Sequence, residues 1–217
     1  MLKVILFGIG STLTVDIEET CGRLGIEIVA AIRNVDGPVC YSDLSRVHSV
    51  EYMPEICKSL PVVIPLFTPG YRKAAVDHAQ RCGLDQFANI LDPTSVLPRS
   101  TLLGRGVYIN AGCTMGGAGV FGDFTFINRS ASIGHHASLK DFVSIGPGAV
   151  LAGHVTVGRG TMIGAGAVVR PRVVIGENSV IAAGAVVTRP VPSNCMVAGN
   201  PAKILKSDIA GYDGASV

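Results

Sequence analysis

The sequence predicts a small α/β domain followed by an all-β parallel β-helix, and three observations carry that prediction. An aliphatic, methionine or phenylalanine side chain returns at every sixth residue from Leu91 through Leu103, Met115, Ile127, Leu139, Leu151, Ile163 and Ile175 to Val187. The position four after each is small or β-branched, as at Thr101, Cys113, Ala131, Ala149, Ala167 and Ala185. The first ninety residues obey neither rule and alternate short apolar runs with helically spaced apolar residues. Six is a multiple of two and not of 3.6, so each hexapeptide reads as a short strand and a turn. The large residue and the small one two before it point inward, and the Gly or Asn that often follows the large residue is expected to take the strained turn conformation. Three such sides close one coil.

In chain order, Val4–Phe7 is a first strand running into the turn Gly8-Ile9-Gly10-Ser11. Leu13, Ile17, Cys21 and Leu24 then recur at helical spacing, and Glu27–Ile32 is a second strand, which completes one βαβ unit. A third apolar run, Pro61–Phe67, precedes Tyr71, Ala74, Ala75, His78, Ala79 and Cys82 on one helical face, with Gly83 where a helix cap belongs. This alternation predicts a Rossmann-like parallel sheet over residues 1–90. The coil, with a C-terminal cap, takes residues 91–217, and Asp92-Pro93 reads as the turn that starts its first rung. The glycine turn sits where a parallel sheet offers free backbone N–H groups to a phosphate or sugar. Leu13 stands in place of the third glycine of a dinucleotide fingerprint, so the same residues also read as a bare strand-to-helix turn.

Composition narrows the function classes. Charged residues are 16% and the net charge is +2, which argues for neither nucleic acid nor a membrane surface as partner. The 27 glycines suit a turn-rich coil. Six cysteines are scattered without a C-x-x-C pair, so they read as reduced core thiols of a cytoplasmic protein. The apolar start is short and runs into Asp16–Glu19, which fits a strand better than a signal peptide. No segment is long and apolar enough to span a bilayer.

The hexapeptide run resembles that of the hexapeptide-repeat acyltransferases. Their left-handed parallel β-helix is triangular in section, so that residues eighteen apart stack on neighbouring coils. With an α/β domain ahead of it, the chain resembles the sialic acid O-acetyltransferase and nucleotide-amino-sugar N-acetyltransferase branch. The motifs that carry this are Asn128-Arg129-Ser130-Ala131-Ser132-Ile133-Gly134-His135, then Gly146, Ala152-Gly153 and Gly199-Asn200-Pro201-Ala202-Lys203.

The resemblance implies a role for each. His135 is the general base, because an amine or hydroxyl must shed a proton as it attacks a thioester, and an imidazole titrates near neutral pH. Two residues after Ile133, it lies on an outward corner. Gly153 is eighteen residues on, about 4.8 Å away by strand spacing. Its amide, beside Ala152, is expected to donate to the thioester oxygen of acetyl-CoA, a contact worth on the order of 3 kcal/mol in the transition state. Pro201, Ala202 and Lys203 match a segment that lies beside the CoA adenine and 3′-phosphate and also ends the coil. Gly8, Gly10, Ser11, Arg33 and Asn34 are the expected contacts of the nucleotide-sugar, joined by Asn128 and His136 near the acceptor.

Two departures bear on the acceptor. The residue after the base is His136 instead of an acid, so Asp141 or an acid of a neighbouring subunit is left to orient His135, and His136 is left to contact the acceptor. Arg33-Asn34 and Asp36 stand where paired carboxylates meet the nucleotide, which leaves the base open. His154 stacks over His136, but two stacked histidines are too few for a metal site, and none is expected. The expected protein is a homotrimeric, cytoplasmic, acetyl-CoA-dependent N-acetyltransferase of a nucleotide-linked sugar in surface polysaccharide biosynthesis. Alternatives are O-acetylation of sialic acid or another sugar, and a non-catalytic or metal-dependent coil.

Overall fold

The computed structural model describes residues 2–217. Four parallel strands, β1 (Lys3–Phe7), β2 (Glu27–Arg33), β3 (Val47–Ser49) and β4 (Val62–Val63), form a sheet in the order β3-β2-β1-β4. Helix α1 (Thr14–Leu24) joins β1 to β2, and α2 (Pro69–Arg81) follows β4. Gly25 ends α1 in a left-handed conformation at φ 65°, and Gly83 does the same just beyond α2 at φ 79°. Three details differ from the sequence reading. β3 is three residues without an apolar period to announce it. Only two residues of the run 61–67 pair as strand. Leu24 is exposed, while Thr14 and Thr20 of the same helix are buried.

The coil begins at Ile90–Leu91. Its two-residue strands pair in parallel with partners eighteen residues on, as in Phe126↔Ser144, Ser132↔Val150 and Ser138↔Thr156. Those three strands lie one on each of three walls, here walls one, two and three. Inside, Ile127, Ala131, Ile133, Ala137, Leu139 and Val143 belong to one stacked aliphatic core that runs from Val107 to Val197. The last coil is two residues short, with Val180↔Met196 and Ile181↔Val197 sixteen apart, and this is why the sixfold period stops at Val187. A hairpin, Met196–Gly199 with Ala202–Lys206, extends wall one, and the tail returns past it. There Ile209 N–H donates to the Asn194 carbonyl and Val217 N–H to Asn178 Oδ1.

The corners correct one expectation. The left-handed residue comes three after the inward large residue, not one after it. Ala118, Phe124, Ser130, His136, Phe142, His154, Arg172 and Asn178 all hold φ between 48° and 62°. The glycines one after the large residue answer to stacking instead. A Cβ on Gly134 would lie 2.5 Å from Gly153 N on the next coil, and one on Gly146 2.6 Å from Ala165 N.

Wall one is covered by the α/β domain, and polar side chains fix the contact. Arg72 of α2 is 1% exposed with no carboxylate on it. Its Nε donates to Phe124 O, Nη1 to Leu66 O and Phe67 O, and Nη2 to Phe142 O, Val143 O and Ser144 Oγ, at 2.7–3.3 Å. Burial pushes its pKa down to about 9, which still leaves it charged at neutral pH. On the other side, α1 reaches the coil through Arg23 and Thr20, both bonded to the buried Asp92, and through Asp16, bonded to Asn110 and Arg129. Phe67 meets Phe126 edge-on at 5.4 Å, and Phe124 stacks on Phe142 at 5.0 Å.

Replacing Arg72 leaves its buried carbonyls without donors. We expect Arg72→Met to destabilise the protein by about 3–5 kcal/mol in urea unfolding. A loss within experimental error would show that the guanidinium does not join the domains.

Candidate active site

The corner between walls two and three stacks residues 134–136, 152–154 and 170–172 one above another, since each coil advances eighteen residues. His154 N–H donates to His135 O at 2.9 Å, and Arg172 N–H to Gly153 O at 3.0 Å, so the backbone fixes this alignment. The His135 ring lies over Gly153. A Cβ on that glycine would meet His135 Nε2 at 2.7 Å and Cε1 at 2.8 Å, so the ring keeps this position only because residue 153 has no side chain.

His135 Nδ1 and His136 Nδ1 are 3.0 Å apart, a distance at which one of them carries the proton. If His135 is to accept a proton at Nε2, its Nδ1–H must donate to His136 Nδ1. His136 thus occupies the orienting place that an acid would fill. Asp141 does not reach it, because its Oδ1 caps Asp123 N–H at 2.9 Å on the corner between walls three and one. His136 and His154 rings lie nearly parallel, 4.7 Å between centroids, with His135 perpendicular to both. Desolvation, then His136, His135 and Arg172, pushes the His154 pKa below its ordinary value. The ligating atoms of all three lie within 4.8 Å of one another. The sequence reading found the His136–His154 stack and missed that His135 completes a set of three.

Five amides at this corner position are capped by side-chain oxygens, Arg105 by Asp123, Ala111 by Asn110, Asp123 by Asp141, Arg129 by Asn128 and Glu177 by Ser193, whereas those of Gly117, His135, Arg159, Ala165 and Ala183 have no acceptor among the described residues. The Gly153 N–H has no acceptor among the described residues. It opens on a cleft of about 420 Å³ lined by His135, Gly153, His154, Arg170, Pro171 and Arg172. An imidazole, an uncapped amide and two guanidiniums converge there. Chemically these are a proton acceptor, a donor for an oxyanion and partners for phosphate.

A second cavity, about 450 Å³, lies in the α/β domain. It brings together Gly8, Gly10, Arg33 and Asn34, with Asp36, Tyr71, His78 and Arg81. Gly8 needs its φ of 88°, whereas Gly10 has ordinary φ and a Cβ there would meet only Pro38 O at 3.6 Å. Ser11 borders a smaller adjoining recess, with its Oγ accepting from Leu13 N–H at 3.2 Å. Tyr71 and His78 share one face of α2, as their spacing predicts, and that face borders the cavity.

The remaining expected residues lie elsewhere. Asn128 is buried at wall one, its Oδ1 accepting from Asn110 Nδ2 at 3.0 Å and Arg129 N–H at 2.8 Å, so it belongs to the contact with α1. Pro201, Ala202 and Lys203 lie on the hairpin of wall one, across the triangle from His135. The domain cavity also sits on the wall-one side. One chain therefore does not gather the three groups into one site.

Residues 154–189 match the bacterial transferase hexapeptide model of six repeats. No curated protein matches the chain in sequence. Among solved structures, perosamine N-acetyltransferase from Caulobacter crescentus, in complex with CoA and GDP-perosamine, is 28% identical, with 95% of this chain and 97% of that one covered and a TM-score of 0.80. The acetyltransferase domain of PglB from Neisseria gonorrhoeae, in complex with acetyl coenzyme A, is 24% identical over 94% of this chain and 98% of that one, TM-score 0.81. WeeI from Acinetobacter baumannii is 21% identical over 94% of this chain and 100% of that one, TM-score 0.77. The last two show the fold alone. This chain is a hexapeptide-repeat left-handed β-helix with an α/β domain at its front, and the resemblance to sugar acetyltransferases seen in its motifs extends over nearly its whole length.

Among the described residues, no helix is long and apolar enough to cross a membrane.

Gly153→Ala should displace the His135 ring while leaving the coil intact. The imidazole NMR signals of His135 should move and those of His48 should not, with stability unchanged within roughly 0.5 kcal/mol. Unmoved His135 signals would show that the ring does not depend on residue 153.

Proposed function

We propose that this protein transfers acetyl from acetyl-CoA to the amino group of a nucleotide-linked sugar, with His135 as general base and the Gly153 amide as oxyanion donor. The observation that carries this reading is the His135 imidazole held over a glycine whose N–H is free, at the mouth of a cationic cleft. The sugar nitrogen attacks the thioester carbonyl, the C–S bond breaks, and one proton must leave the nitrogen. Nε2 of His135 takes that proton and returns it to the departing thiolate, which balances the step without a covalent enzyme intermediate. The Gly153 N–H stabilises the negative oxygen of the tetrahedral stage. His136 holds the tautomer that leaves Nε2 free and lies within reach of the acceptor.

Residues 1–90 form the acceptor-binding unit, with the nucleotide in the cavity of Gly8, Gly10, Ser11, Arg33 and Asn34. Residues 91–217 carry the transfer site, with Ala152, Gly153, Pro201, Ala202 and Lys203 as contacts of acetyl-CoA. The match to an enzyme solved with GDP-perosamine supports a nucleotide-amino-sugar over free sialic acid as acceptor, and nitrogen over oxygen as nucleophile. The arrangement of one chain supports a homotrimer. The groups above lie on different sides of the coil. Walls two and three, flanking His135, expose Val150 and Val168, and Leu102, Val120 and Val174, at 37–65%. A neighbouring coil against these walls covers them and brings its own cap and cavity toward the histidine corner. The place we assign it is cytoplasmic synthesis of surface polysaccharide precursors.

His135→Asn should lower kcat by roughly 10²–10⁴ in a CoA-release assay against UDP-, GDP- and dTDP-amino sugars, with little change in acetyl-CoA affinity. Turnover near that of the unaltered protein would exclude His135 as the base.

Gly10→Val places a side chain in the domain cavity without backbone strain. It should raise the acceptor KM or abolish turnover while the Kd for acetyl-CoA stays within about threefold, under roughly 1 kcal/mol. Unchanged acceptor kinetics would remove that cavity from the site. Light scattering should give a particle three times the 22.5 kDa chain, and an active monomer would contradict a site shared between coils.

A further inference from the structure

We infer that His135, His136 and His154 form a binding site for a divalent transition-metal ion of the zinc class, and that the ion, when bound, switches the transfer site off. Adjacent positions 135 and 136 share one corner, and coil stacking places residue 154 beneath 136, so three imidazoles converge from two coils. Their ligating atoms lie within 4.8 Å of one another, and two are already 3.0 Å apart. A tetrahedral zinc ion with Zn–N of about 2.0–2.1 Å needs nitrogens roughly 3.3 Å apart. All three side chains are exposed, so rotation about their own bonds supplies the remaining closure.

Three nitrogen ligands with an open fourth position suit Zn²⁺, Co²⁺ or Ni²⁺ and not the oxygen-seeking Mg²⁺ or Ca²⁺. Arg170 and Arg172 line the same cleft, which suits the open position to an anion or thiolate. The inhibitory part rests on the function proposed above. With Nδ1 on the metal, the neutral His135 ring carries its proton on Nε2 and cannot accept one from the sugar amine, and a ring turned to bind through Nε2 is withdrawn from the amine altogether. The chain then has no second base at that corner.

The test is calorimetric titration of the untagged full chain with ZnCl₂ at neutral pH. His136→Asn and His154→Asn serve as variants, since both positions hold left-handed φ, at 57° and 58°, which asparagine tolerates. We expect one Zn²⁺ per chain with a Kd on the order of micromolar or tighter, weakened more than roughly tenfold in each variant. Co²⁺ in its place should give the intense visible absorption of a tetrahedral site. No binding, or equal binding by both variants, overturns the site. Acetyl transfer is measured separately, with EDTA and then with one equivalent of Zn²⁺. Transfer that persists with the metal bound overturns the inhibition. If no sugar is acetylated even with EDTA, it is the transferase reading that fails, while calorimetry still decides the metal site.

Discussion

The eighteen-residue register of the coil is the constraint on which the rest depends. Each strand is two residues long, so no single rung has a stable edge or core of its own, and stability comes from stacking. Parallel pairing at a fixed offset then places every corner side chain above its counterpart eighteen residues on. That offset puts His135 over Gly153 and His136 over His154. The same offset puts Asn110 beside Asn128, where it builds a contact with α1 instead of a reactive corner. One backbone rule thus produces a candidate transfer site on one edge and a domain joint on another.

Arg72 decides which edge is which. Its guanidinium binds carbonyls of the 66–67 segment and of two coil corners, at Phe124 and Phe142, without a counter-charge. A buried cation of this kind is costly unless every donor is used, and here the fork is filled. Together with Asp92 and its bonds to Thr20, Arg23 and Thr94, it assigns wall one to the α/β domain. Walls two and three remain bare, with exposed valines and Leu102 among outward Ser and Thr side chains and the histidine corner between them. The proposed shared site follows from this division, since the nucleotide cavity and the C-terminal hairpin are fixed on the side away from His135.

Much of this was legible in the sequence because the coil is strictly periodic. The sixfold aliphatic return located the inward residues, and a spacing of eighteen located Gly153 under His135. What escaped had no period or a misleading one. β3 is too short to show a pattern. Glycines after the large residue looked like strained turns, yet their role is to let coils approach, and the left-handed positions are filled by Phe124, His136 and Arg172, which no propensity marks. Asn128 stood beside the histidine motif in sequence but lies on a different corner. A signal for the domain joint was present and unread: outward residues of wall one include Tyr108 and Phe126, aromatic where a solvated wall would be polar. The set of three histidines escaped because spacing compares residues one coil apart, whereas His135 joins its neighbour sideways along the chain.

The central claim is that transfer occurs at the corner where His135 overlies Gly153. A crystal structure with CoA and a GDP-linked amino sugar tests it most directly. The account predicts the CoA sulfur beside the Gly153 amide, the sugar nitrogen about 3 Å from His135 Nε2, and the nucleotide in the cavity of Gly8 and Asn34. CoA bound away from that corner, or a sugar nitrogen out of reach of His135 from every subunit, would contradict it.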